Sequence, residues 1–172
     1  MTEPVNLYNI YIGDFSSPAS QEMMLIIDEA AANMGESPWF HIKTAYYQIN
    51  ADHSIHYESD QASFISRTQL LQTARGIVMN DSFVAQSLLN LFNSGKLKVD
   101  EDAVYNIIFR GDFQYSGWLQ TWCGYHHAFY LNDGRIIKYT VVGDSSTAPN
   151  GGECQEIVGN MNGPYFTVCA CY

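Results

Sequence analysis

The sequence predicts an α/β protein: a single mixed β-sheet flanked by helices, with the element order β-α-β-β-α-β-β-β. Three observations carry that prediction. Leu7 to Ile12 and Ala103 to Phe109 are runs of β-branched and aromatic residues, the composition of strands. Met23 to Met34 and Phe83 to Phe92 repeat apolar residues at helical spacing. From His127 to Val142 the chain is again aromatic and β-branched, interrupted once by Asn132-Asp133-Gly134, which predicts a hairpin closed by a tight type I′ turn.

The first strand, Leu7 to Ile12, stops at Gly13-Asp14. Ser17 then offers a capping hydroxyl, and Pro18 takes the first helical position, where a missing N–H costs nothing. Met23, Met24, Ile27, Ala30, Ala31 and Met34 make the apolar face of this helix, with Gly35 as its stop. Ile42 to Ile49 and Ser54 to Tyr57 read as two strands joined through Asn50-Ala51-Asp52, and Ala62 to Ile65 as a shorter one. Thr68 to Val78 fits no single pattern. A second helix starts at Ser82, buries Phe83, Val84, Leu88, Leu91 and Phe92, and ends at Ser94-Gly95. Few side chains of Ala103 to Phe109 tolerate water, which places that strand centrally. At 172 residues the chain fits one domain, spanning 1–172.

An internal similarity links the two apolar strands. Tyr8-Asn9-Ile10-Tyr11-Ile12-Gly13-Asp14-Phe15 is similar to Tyr105-Asn106-Ile107-Ile108-Phe109-Arg110-Gly111-Asp112-Phe113, with one residue inserted. If the strands are parallel neighbours, Asp14 and Asp112 leave the same edge of the sheet, where ligand crevices form. Otherwise each Gly-Asp only ends a strand.

Composition excludes several function classes. Lys plus Arg number 8 against 18 Asp plus Glu, a formal charge of -10, and no basic cluster offsets it, so nucleic acid is not an expected partner. Met23-Met24-Leu25-Ile26-Ile27 falls far short of the roughly 20 residues of a membrane span. Met1-Thr2-Glu3-Pro4 lacks the basic start and apolar core of a signal peptide. Phosphate loops, Gly-x-Ser-x-Gly elbows and His-Glu-x-x-His helices are absent from the sequence, so it offers no complete catalytic constellation.

The remaining candidates are few. The cysteines, Cys123, Cys154, Cys169 and Cys171, all lie in the last third of the chain. In an oxidising compartment Cys123 and Cys154 would close a loop across the hairpin; in a reducing one they are small buried apolar groups. Cys123-x-x-His126 can place sulfur and nitrogen on one metal, but a closed zinc site needs four ligands and no second pair has finger spacing. Strand alternation sends His126 and His127 to opposite faces. Asn80-Asp81-Ser82 is a glycosylation acceptor in a secreted protein, but Asn80 and Asp81 also suit the cap of the following helix, and the residues alone favour the cap. Arg110-Gly111-Asp112 acts in adhesion only from an exposed loop tip.

As a set, Ser37-Pro38-Trp39-Phe40, the strand Val104 to Phe109 followed by Asp112, Trp122-Cys123-Gly124-Tyr125-His126, Tyr139-x-x-Val142-Gly143-Asp144 and Cys154 resemble the phosphate-induced protein family, known in plants as EXORDIUM-like proteins. The resemblance covers residues 6–158. It implies a secreted, cell-wall-associated protein of unassigned biochemical activity, with a cell-wall or other extracellular ligand and with Cys123 and Cys154 paired. Family members continue into a His-Glu-x-x-Glu-like helix similar to that of zinc peptidases; here residues 159–172 form an atypical tail instead. The resemblance therefore implies the sheet portion of a zincin-like domain, truncated before its metal helix. Two functions are compatible with the resemblance. One is an extracellular protein that acts by binding or growth signalling. The alternative is the sheet portion of a zinc-dependent, peptidase-like hydrolase that is inactive without the missing metal-binding helix; zinc would be a cofactor only of a longer form. His126 is the one residue carried over as a metal ligand. With Asp14 and Asp112 it makes up the candidate pocket.

Overall fold

A computed structural model describes residues 4–71, 77–118 and 122–144. The protein is α/β, with a mixed five-stranded sheet and helices on both faces. In chain order the elements are β1 (Val5–Ile12), α1 (Pro18–Ala32), α2 (Pro38–His41), a 3-10 turn (Ile42–Ala45), β2 (Tyr47–Ile49), β3 (Ile55–Tyr57), β4 (Ala62–Leu70), β5 (Val78–Met79), α3 (Asp81–Asn93), β6 (Ala103–Arg110), β7 (Gln114–Tyr115), β8 (Gly124–Tyr130) and β9 (Ile136–Asp144).

The sheet order is β4-β1-β6-β9-β8. β1 runs parallel to both β4 and β6, β6 runs parallel to β9, and β8 returns antiparallel at the edge. The expectation that the two similar strands are parallel neighbours is met, with Tyr8, Asn9 and Ile10 paired to Tyr105, Asn106 and Ile107. Flanked on both sides, β1 and β6 lie between α1 and α3. Met24 of α1 packs with Tyr11, Phe15 and Ile108, and Ala31 with Val5 and Leu7. On the other face Val84, Leu88 and Leu91 of α3 pack with Tyr8, Ile10, Ile12, Tyr105 and Ile107.

The helix starts follow from their caps. Ser17 accepts from the Ser20 N–H with Pro18 in the first turn, and Asn80 Oδ1 accepts from the Phe83 N–H at 2.8 Å. α3 ends as expected at Gly95, whose φ of 70° lets its N–H bond Phe92 while Lys96 bonds back to Leu91, satisfying two carbonyls the helix leaves open. α1 differs. It stops at Ala32, three residues before Gly35, because Asn33 turns its side chain onto the Glu29 carbonyl.

Other expectations need correction. Ile42 to Ile49 is not one strand: the Ser37 hydroxyl caps Phe40, so α2 and the 3-10 turn take up the chain as far as Ala45. β2 and β3 pair with each other and stand apart from the five-stranded mixed sheet, which is the sheet the sequence predicts. β4 runs on to Leu70, well beyond Ile65, with half its residues facing solvent as an edge strand's do. β5 and β7 form a short parallel pair that no pattern announced. The hairpin turn is not type I′: of Asn132, Asp133 and Gly134 only Gly134 has positive φ, and Gly134 N–H bonds the Leu131 carbonyl, a type I turn closed by a left-handed glycine.

Candidate functional site at the carboxyl edge of the sheet

Ile12 of β1 pairs with Phe109 of β6, so Gly13-Asp14 and Gly111-Asp112 emerge side by side from the carboxyl edge of the parallel strands. From there the chain departs in opposite directions. After β1, Phe15 joins the apolar cluster under α1; after β6, Phe113 and Trp118 join the cluster under α3. Divergence of neighbouring parallel strands marks the usual ligand position in open α/β sheets.

Arg110 occupies this edge. It is the residue inserted in the second copy of the repeat, and its stem lies where a Cβ on Gly13 would sit, which explains a glycine there at φ 125°. Its Nη1 donates to Ser20 Oγ at 3.0 Å in the first turn of α1, and its Nε lies 3.8 Å from Asp112 Oδ1. Asp14 accepts from the Ser16 N–H at 2.9 Å, and hydrogen bonding from Ser16, its side chain first and its backbone second, aided by the nearby Arg110 charge, holds the Asp14 carboxyl below the ordinary range. Asp14 and Asp112 are both exposed. The edge thus carries two carboxylates, Asp14 and Asp112, and the guanidinium of Arg110. Sequence reading passed over Arg110 and Ser20, although the insertion within the repeat was a signal for the first.

His126 is not part of this edge. It lies in mid β8 opposite Thr140, which is four residues short of Asp144 at the edge, about 13 Å back along the strand. His127 faces the other side of the sheet, where its ring meets Tyr139. Asp14 and Asp112 are therefore brought together and His126 is not. Among the described residues no group of three His, Cys, Asp or Glu is placed to hold a metal. Asn80 serves as the cap of α3. Cys123 lies just before β8, whereas Cys154, Cys169 and Cys171 are outside the described residues, as is the 159–172 tail.

Two polar networks stiffen the frame. At one level across the sheet lie Arg67, Asn9, Asn106, Thr140 and His126. Thr140 Oγ1 donates to Asn106, Asn106 to Asn9, and Asn9 Nδ2 to Asp28 Oδ1 at 2.7 Å; Tyr11 and Arg67 also donate to Asp28. On the α3 face Asp81 Oδ1 accepts from Tyr125 at 2.6 Å and Tyr139 at 2.9 Å, and Tyr115 pairs with Tyr125. Among the described residues no helix is long and apolar enough to cross a membrane. No protein-family model, curated protein or solved structure matches this chain.

Proposed function

We propose that the chain is an extracellular, cell-wall-associated binding protein, in which Asp14, Arg110 and Asp112 hold a polyhydroxylated ligand such as a saccharide without catalysing a reaction on it. One observation carries the reading: β1 and β6 diverge at their carboxyl ends and leave two exposed carboxylates and one guanidinium on the same edge. A sugar hydroxyl both donates and accepts, so adjacent hydroxyls match an acceptor beside a donor. An exposed set of this kind fits weak, reversible binding. The extracellular part of the reading comes from the family resemblance, and pairing of Cys123 with Cys154 belongs to it.

Calorimetric titration or ligand-observed NMR with neutral cell-wall oligosaccharides tests the binding. Asp112→Asn is expected to weaken it about tenfold with an unchanged melting temperature, as loss of one charge-assisted hydrogen bond implies. Absence of binding, or equal binding by Asp112→Asn and by Asp14→Asn, sinks the reading.

A further inference from the structure

Trp118 and Trp122 both follow β7, and the fold treats their indoles differently. Trp122 Nε1 donates to the Ser116 carbonyl at 3.0 Å. Trp118 is only 7% exposed, and its Nε1–H is buried with no hydrogen-bond partner among the described residues. A buried indole N–H ordinarily has a partner, because an unmatched donor carries its full desolvation penalty. Packing does not require the nitrogen. The indole meets the Phe109 ring edge-on at a centroid distance of 4.8 Å and lies over Gly143, contacts that a phenyl ring would also make. A Cβ on Gly143 would lie 2.4 Å from Cε2, the carbon that bears Nε1, so glycine is what admits the indole there. β6 and β9 pair Phe109 with Gly143 and Arg110 with Asp144, which sets the indole one residue behind Arg110 at the carboxyl edge. Phe109 belongs to the α3 face and Arg110 reaches Ser20 of α1, so a ligand resting across the strand ends borders both.

We propose that Trp118 is a ligand-binding residue of this edge: closed on Gly143 in the free protein, it turns outward on binding and donates its Nε1–H to a ligand oxygen. The inference rests on the saccharide reading above. To the two carboxylates and the guanidinium it adds a neutral donor, suited to a hydroxyl, ring or glycosidic oxygen. The movement is local. Gly117, with φ 80°, lies in the turn where the Trp118 backbone N–H bonds the Tyr115 carbonyl at 3.2 Å, and Trp118 belongs to none of the five strands of the main sheet. Its indole therefore leaves Gly143 without breaking a strand pair of that sheet. An unmatched donor makes the closed state less favourable than packing alone would, and the ligand supplies the acceptor that the fold withholds.

Trp118→Phe tests this on the full chain, since a phenyl ring keeps the aromatic contacts and removes the donor. Calorimetric titration with neutral cell-wall oligosaccharides is expected to show binding weakened about tenfold, as loss of one hydrogen bond implies, with the circular dichroism of the wild type retained. A second measurement needs no folded variant. The Trp118 indole N–H, followed by proton–nitrogen NMR in the free wild type, should exchange with solvent faster than the slowest amides of β6, because it opens without global unfolding. Saturating oligosaccharide should shift that resonance and slow its exchange. Equal binding by wild type and Trp118→Phe, an indole N–H that exchanges only with global unfolding, or a resonance unmoved by a bound oligosaccharide would each overturn the proposal and leave the saccharide reading standing. Failure of the wild type to bind any oligosaccharide overturns both, and the wild-type titration alone reveals it.

Discussion

The ring of Tyr8 stacks on that of Tyr105, with centroids 5.2 Å apart and planes 23° from parallel. The next residues repeat the relationship. Asn106 Nδ2 donates to Asn9 Oδ1 at 2.9 Å, and Ile10 lies beside Ile107. The two similar stretches of sequence thus lie in register as adjacent strands, each side chain against its own counterpart. Tyr and Ile fill the α3 face, and the paired amides place a polar line under the α1 face.

That line makes Asn9 a sensitive position. It is completely buried, accepts from Asn106 and donates to Asp28. Asn9→Leu leaves the Asn106 donor unmatched and removes one of the donors to Asp28, an expected loss of about 2–3 kcal/mol in urea unfolding. Asn9→Leu with Asn106→Leu should cost less than the sum of the single changes, because the second substitution removes a group the first had orphaned. A single-variant loss below about 0.5 kcal/mol would mean the amide line is not holding the strands.

Gly35 and Gly95 follow the two long helices, but different forces select them. A Cβ on Gly35 would lie 2.6 Å from the Ala62 carbonyl oxygen and 2.7 Å from its nitrogen, backbone of β4 that is itself paired to β1. Gly95 has φ 70° and open space around it. Asn tolerates left-handed backbone, so Gly95→Asn is expected to cost under about 1 kcal/mol and Gly35→Asn about 2 kcal/mol or more, with faster hydrogen exchange in β4. Equal losses in thermal or urea unfolding would count against the close-approach role of Gly35.

The same pair shows where sequence reading succeeds and fails. Signals confined to a few residues were legible: the Ser17-Pro18 and Asn80 caps, the Gly95 stop, the hairpin, and the Tyr-Asn-Ile repeat that placed Asp14 and Asp112 on one edge. What depended on distant packing was not. Gly35 serves a strand 27 positions away rather than its own helix. Ser37-Pro38 starts a helix inside a stretch whose aromatic and β-branched residues argue for strand. Arg110 is directed to Ser20 by room that Gly13 provides, a contact across 90 residues of chain.

The buried phenols make alkaline stability a direct reading of the core. Burial raises the pKa of Tyr11, Tyr105, Tyr125 and Tyr139 above the usual value near 10; the Asp28 charge adds to this at Tyr11, and Asp81 adds to it at Tyr125 and Tyr139. A raised folded-state pKa means that the folded chain keeps protons the unfolded chain releases. Stability from these groups is therefore full below about pH 10 and falls as pH rises beyond it. Tyrosinate absorbance and circular dichroism, followed together, should show a set of phenols that ionise only as the fold is lost. Complete ionisation before any change in dichroism would contradict the burial of this cluster.

The last prediction concerns zinc, and it rests on the neighbours of His126. On its face of the sheet the surrounding positions are Gly124 and Ala128 on β8, and Lys138, Thr140 and Val142 on β9. The Thr140 hydroxyl already donates to Asn106 at 2.9 Å, and the other four offer no group that binds zinc at neutral pH. A catalytic zinc takes three protein ligands on a rigid frame, so a single imidazole on an exposed sheet face gives only weak, exchangeable contact. Dialysis followed by elemental analysis is expected to leave well below one zinc per chain, and His126→Ala to leave that content unchanged. Stoichiometric zinc that disappears in His126→Ala would place a metal centre on β8 and reverse the order of the two readings, giving a hydrolase precedence over a binding protein.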